Sequence, residues 1–184
     1  MTKFSHVIVR RPGKSLCDGI TSAPELGQPI YERALEEHRD YVHALEQCGV
    51  DVTILPALEE YPDSCFVEDP AVITRMGAII TNPGAESRNG EKNEIEPVIR
   101  RFFDDDHIKH ITAPGTLEGG DVMMVGDHFY VGRSARTNEE GIRQFIEILE
   151  GWGLKGSEVP LEKVLHLKTG VNYLENNNML VSGE

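Results

Sequence analysis

The chain has 184 residues, 39% of them hydrophobic, with 18 basic against 31 acidic side chains and a formal net charge of −13. That length and apolar content describe one sizeable globular domain rather than a disordered chain. The acidic balance argues against nucleic acid as a partner, and no apolar run approaches the ~20 residues of a membrane span. The three cysteines, Cys17, Cys48 and Cys65, make no Cys-x-x-Cys pair. Together with an opening that lacks the apolar stretch of a secretion signal, they point to a reducing, cytoplasmic compartment without a disulfide framework. The negative charge serves solubility, and its field also attracts a small cationic molecule.

"FSHVIVR" (4–10) predicts a buried strand, followed by a Gly/Pro/Ser-rich loop to Pro29. Residues 31–48 place Ala34, His38, Tyr41, Val42 and Leu45 at helical spacing, with Gly49 as the stop. "DVTIL" (51–55) is a strand, and "AVIT" and "AIIT" read as strands around a turn at Arg75–Gly77. A helix is expected over "EKNEIEPVIRRFF", with a late start or a bend at Pro97. "VMMVGDHFYVG" (122–132) predicts a hairpin turning at Gly126–Asp127. In "TNEEGIRQFIEILEG" (137–151), Thr137 and Glu140 form a capping box and Gly151 ends the helix. "VLHL" (164–167) and "NNMLVSG" (177–183) complete the set as strands.

The order of strand, helix, strand and hairpin recurs, and acids recur with it. Glu68 and Glu118 are 50 residues apart, and Glu118 and His166 are 48 apart. A period near ~50 residues belongs to propellers and related arrays, whose equivalent positions face one axis. On that reading Glu68, Asp69, Glu118 and His166 share a cavity. The adjacency of Glu68 and Asp69 between apolar runs has the same sense, because an unpaired buried carboxylate is costly.

Carboxylates gathered around one cavity suit a metal, a shared proton or a planar cation. No compact calcium loop and no helical histidine pair is present in the sequence, and a guanidinium fits best because its N–H forks match carboxylates in pairs. A free amino acid carrying it needs a cation for its own carboxylate. Arg88 and Arg136, in loops before helices, can supply one. Read singly, each is an ordinary surface arginine and His166 a core histidine; the register with Glu118 favours the joint reading. Beside a carboxylate, His166 is an imidazolium suited to protonating an amine leaving group.

"PDSCFVEDP", "NPGAESR", "APGTLEGGDVMMVGDHFYVGRSARTNEEG" and "LEKVLHLKTG" together resemble the sequence blocks of the dimethylarginine dimethylaminohydrolases. These belong to the guanidine-modifying, or pentein, superfamily with arginine deiminases and amidinotransferases. The resemblance runs in order from residue 4 to the end. It implies an α/β fold, a pentein-type propeller of ~50-residue βαβ-hairpin modules, with about three and a half of five present in a single incomplete domain over 1–184. The implied reaction hydrolyses N-methylated arginine to citrulline and methylamine or dimethylamine through a cysteine-bound thiouronium, without metal or organic cofactor. Asp69 and Glu118 then hold the guanidinium, with Glu68 and Asp63 in the pocket wall. Arg88 and Arg136 take the α-carboxylate, His166 donates the proton, and the backbone of Ile20 belongs to a lid. The implied partners are a small cationic substrate and, in assembly, a second copy of the chain.

The nucleophilic cysteine of that family lies near its C-terminus, past the point where "NNNMLVSGE" stops. The expectation is therefore a chain inactive by itself. Cys65, nearest the acids, reads as an apolar strand residue whose thiol the carboxylates would keep protonated. Two rival readings stay open: a deiminase acting on unmethylated arginine, and a non-catalytic propeller that binds a partner.

Overall fold

The computed structural model describes residues 4–182, and the chain divides into two units, Thr2–Val67 and Glu68–Glu184. In the first, β1 (His6–Arg10) and β2 (Asp51–Leu55) pair in parallel through α1 (Tyr31–Gln47), a βαβ unit. Gly49 follows α1 with φ +78°, a conformation that only glycine adopts cheaply. The loop between β1 and α1 is pinned by two acids. Glu59 accepts from the N–H groups of Lys14 and Ser15 at 3.0 and 2.9 Å, and both oxygens of Asp63 lie 3.2 Å from the Ile20 nitrogen.

The second unit repeats one plan. β3 (Ala71–Ile73) and β4 (Ala78–Ile80) form a hairpin, α2 (Glu91–Ile99) crosses back, and β5 (Ile108–His110) pairs in parallel with β4. β6 (Val122–Val125), β7 (His128–Arg133), α3 (Glu139–Gly151) and β8 (Lys155–Pro160) repeat it, with β7 between β6 and β8. A one-turn α4 (Leu167–Gly170) then leads into a third hairpin, β9 (Val171–Glu175) and β10 (Asn178–Val181). The first strands begin at residues 71, 122 and 171, so the ~50-residue period of the sequence is a structural period.

Central β4 is apolar at every position, with Ala78, Ile79 and Ile80 at 0, 0 and 1% exposure, as expected of a strand covered on both faces. α3 turns Ile142, Phe145 and Leu149 into the same core, where Phe145 meets Phe129 edge to face at 6.2 Å.

Several expectations need correction. α2 begins at Glu91, without the late start, and ends at Ile99 rather than Phe103, with Pro97 inside it. Pro97 offers no N–H to the Asn93 carbonyl, and Asn93 is exposed, where an unpaired carbonyl costs little. The cap of α3 is Asn138 rather than Thr137; the helix does end at Gly151, and the glycine of left-handed conformation after it is Gly153, φ +71°. "VLHL" forms no strand: Val164–His166 is irregular and His166 precedes α4. Cys65 lies in a turn, not a strand. β5, β8 and β9 were not anticipated. Gly183, the last residue of the final expected strand, lies outside the described residues.

Asn138 does more than cap. Its Oδ1 accepts from the N–H groups of Gly141 at 2.8 Å and Thr116 at 3.0 Å, and its Nδ2 donates to the Pro114 carbonyl at 2.9 Å. Asn138→Ala is expected to cost about 1–2 kcal/mol, read as a lower urea midpoint at unchanged slope. A loss below about 0.5 kcal/mol would contradict the assignment of the cap.

Candidate active site

The adjacent acids of "CFVEDP", in the turn and bend that lead into β3, go opposite ways. Glu68 faces outward with a 58% exposed side chain, and Lys168 meets it at 2.6 Å. Asp69 is buried. Its Oδ1 accepts from the Gly120 N–H at 2.7 Å and its Oδ2 is held by Arg88. Arg88 is itself buried and forked by Glu91, Nε to Oε1 and Nη2 to Oε2, both at 2.8 Å. Burial disfavours its charge, but Glu91 and Asp69 overcome this and raise its pKa further.

The next module enters through "LEGGDV". Glu118 is fully buried. One of its oxygens accepts from the Ala85 N–H at 3.0 Å and lies 3.6 Å from Arg136 Nη1. The other, Oε2, has no hydrogen-bond donor among the described residues and lies 3.3 Å from His166 Nε2. The two glycines permit this crowding. A Cβ on Gly119 would stand 1.9 Å from the Glu68 carbonyl oxygen, and one on Gly120 would stand 2.9 Å from the His166 ring.

His166 arrives from the third module. Its other nitrogen, Nδ1, lies 3.3 Å from Oδ2 of Asp121, a fully buried acid that sequence reasoning missed. Each ring nitrogen thus faces a carboxylate, an arrangement that fits the doubly protonated ring. Neither contact has the alignment of a formed hydrogen bond, so they are ion-pair contacts. Burial opposes the charge on His166, but Asp121 foremost, then Asp69 and Glu118, outweigh it and raise the pKa above the ordinary 6.5. Asp121 is the counterpart. Burial pushes it up, while His166, Ser134, Thr137 and the Leu167 N–H together hold it below the usual carboxylate range. Its one mark in the sequence is a place directly before the apolar run "VMMV", as a lone acid rather than the adjacent pair at Glu68 and Asp69.

Asp69, Glu118 and His166 therefore come together, with Arg88 and Arg136 against the two acids. Glu68 does not join them. Ile20 and Asp63 lie in the other unit, where the Ile20 N–H is donated to Asp63 and the Ile20 side chain is half exposed. Asp69, Glu118 and His166 offer ligand atoms within 4.8 Å of one another. Both Asp69 oxygens are already committed to Gly120 and Arg88, so the trio is poorly suited to a metal ion.

Comparison with known proteins bears on this cluster. A family model described as N,N dimethylarginine dimethylhydrolase, eukaryotic, matches residues 22–183. An N(G),N(G)-dimethylarginine dimethylaminohydrolase of Pseudomonas aeruginosa is 59% identical over 181 residues, which cover 98% of this chain and 70% of that protein. The chain belongs to the dimethylarginine dimethylaminohydrolase family. Another relative of that name, from Streptomyces coelicolor, is 39% identical over 173 residues, 94% of this chain and 66% of its own length. A crystal structure of a P. aeruginosa family member, a mutant complexed with citrulline, superposes with a TM-score of 0.96 at 58% identity, covering 100% of this chain and 71% of that one. The N-terminal domain of ArgZ, a cyanobacterial arginine dihydrolase, is 16% identical with a TM-score of 0.79, covering 96% of this chain and 66% of that one. It shows the shared α/β pentein fold alone.

The sign of the pH dependence follows from the raised pKa of His166. Its charged form stabilises the fold fully below pH 6.5, and this contribution disappears as pH climbs through the higher folded-state value. The stability lost in His166→Gln should therefore shrink between about pH 6 and about pH 9 in urea titrations. An equal loss at both ends would mean that the ring is neutral in the fold.

Proposed function

We propose that this chain serves in the hydrolysis of N-methylated arginine at its guanidinium carbon, giving citrulline and methylamine or dimethylamine. The observation that carries this reading is Glu118 Oε2, a fully buried carboxylate oxygen without a hydrogen-bond donor among the described residues, 3.3 Å from the Nε2 of a histidine whose pKa the surrounding acids raise. A guanidinium supplies the donors that such an oxygen lacks, in a planar fork. The names of the relatives and the citrulline bound to one of them support the same substrate class.

Asp69 and Glu118 are assigned to the guanidinium, and Arg88 and Arg136 to the substrate carboxylate. Of the two arginines Arg136 is the better placed, because Arg88 is already forked by Glu91 and Asp69. A resonance-stabilised guanidinium carbon yields only to a strong nucleophile held in line with it. A thiolate adds to that carbon, and His166 passes its proton from Nε2 to the departing amine as the C–N bond breaks, leaving a thiouronium. The neutral ring then takes a proton from water, whose oxygen displaces the thiol and completes citrulline. No cysteine lies in Glu68–Glu184, so the thiol is assigned to none of its residues. The repeated modules are read as blades of one α/β propeller domain, five in the complete ring.

Calorimetric titration of the 184-residue chain with N,N-dimethylarginine tests binding without requiring turnover. Binding is expected, weakened about 10- to 100-fold by Glu118→Gln, the cost of one charged hydrogen-bonded contact. Unmethylated arginine serves as the comparison ligand and should bind less well. Absence of binding, or a Glu118→Gln variant that keeps its fold by circular dichroism and binds as the parent does, would overturn the assignment.

A further inference from the structure

We propose that Asp121 is a positioning residue that holds His166 by its ring and by its backbone, and so reserves Glu118 for the substrate. Its Oδ2 faces His166 Nδ1 at 3.3 Å, and its Oδ1 accepts from the N–H of the following residue, Leu167, at 3.0 Å. One carboxylate thus fixes both the orientation of the imidazole and the chain that carries it. The role in the reaction rests on the function proposed above; the geometry does not.

Asp121 is well anchored for this task. Ser134 Oγ and Thr137 Oγ1 each donate to its Oδ2 at 2.6 Å. Those donors link it to the other charged groups of the cluster. Thr137 Oγ1 also accepts from the Glu118 N–H at 3.1 Å, and Ser134 Oγ accepts from the Arg136 N–H at 3.0 Å. A carboxylate held by two hydroxyls and a backbone N–H has little freedom, so the ring that faces it has little freedom too.

The charged groups around His166 divide their work. Asp121 faces Nδ1, Glu118 faces Nε2, and Asp69 lies within 4.8 Å of the ring. Arg136 approaches Glu118, Arg88 holds Asp69, and Lys168, on the helix that follows His166, is drawn off to Glu68. Were Glu118 the sole counter-ion of the imidazolium, an arriving guanidinium would compete for it and release the ring's proton too early. Asp121, on the far nitrogen, keeps the proton on the ring while Glu118 turns to the substrate. After Nε2 has given its proton to the amine, the neutral ring retains the Nδ1 proton against Asp121. Nε2 is then the base that takes a proton from water.

This names a tautomer, which long-range proton–nitrogen NMR of the 184-residue chain reads directly. Above its titration midpoint the His166 ring should carry its proton on Nδ1, against the Nε2 preference of a free imidazole. In Asp121→Asn the midpoint should fall by about one pH unit or more, the size expected from removing an opposite charge at this range. A proton on Nε2 in the parent overturns the proposal whether or not the variant folds. An unchanged midpoint in a folded Asp121→Asn does the same. Neither measurement uses dimethylarginine, so failed binding of that ligand would sink the function while leaving this result intact, and the reverse also holds.

Discussion

Burial of negative charge is the constraint to which the second unit answers. Asp69, Glu91, Glu118 and Asp121 are 4, 2, 0 and 0% exposed, and a carboxylate taken out of water without compensation costs several kcal/mol. Compensation comes from few sources: the Arg88 guanidinium, the His166 imidazolium, the nearby Arg136, two hydroxyls and the N–H groups of Ala85, Gly120 and Leu167. Each of these depends on the backbone coming unusually close. The consecutive glycines at 119 and 120 follow from that need, since a side chain at either would collide with the Glu68 carbonyl or with the histidine ring.

The repeated plan is what delivers these groups to one place. Glu68, Glu118 and His166 each lie a few residues before the first strand of a hairpin, at β3, β6 and β9. The successive entrances are joined by the same kind of bond. Asp69 of one accepts from the Gly120 N–H of the next, and Asp121 accepts from Leu167 of the one after. Stability and chemistry therefore use the same atoms. A substitution that removes one of these acids takes away a joint between modules together with a charge of the site, which is why the readouts that matter are titrations and ligand affinities rather than stability alone.

Much of this was legible in the sequence, for identifiable reasons. The hairpins at Arg75–Gly77 and Gly126–Asp127 announce themselves by apolar runs on either side of turn residues, and the period brings Glu118 and His166 together, while Glu68, from which it was counted, faces outward and its neighbour Asp69 takes its place. What escaped lacks a local signature. β8, "KGSEVP", has no apolar run and becomes a strand only by pairing along β7. "VLHL" alternates like a strand, but the Leu167 N–H is claimed by the Asp121 side chain instead of a neighbouring strand. Thr137 has the right spacing for a helix cap, and a stronger demand, the buried Asp121 carboxylate, takes its hydroxyl. Asp121 is a lone acid outside both signals, the adjacent pair at 68 and 69 and the ~50-residue register of Glu118 with His166.

The clamp on Arg88 shows what this cluster is built to hold. A guanidinium is already bound there, forked by Glu91 and capped by Asp69, in surroundings almost free of water. The chemistry of holding a planar cation between buried acids is thus part of the fold itself. It also separates the two acids assigned to a substrate. Asp69 has both oxygens engaged, one by a backbone N–H and one by Arg88, so its share in a second guanidinium must be shared with the first. Glu118 keeps an oxygen without a donor among the described residues, beside His166. Within the cluster, the attraction for an incoming cation is therefore concentrated at Glu118, on the nitrogen of the ring from which a proton has to leave.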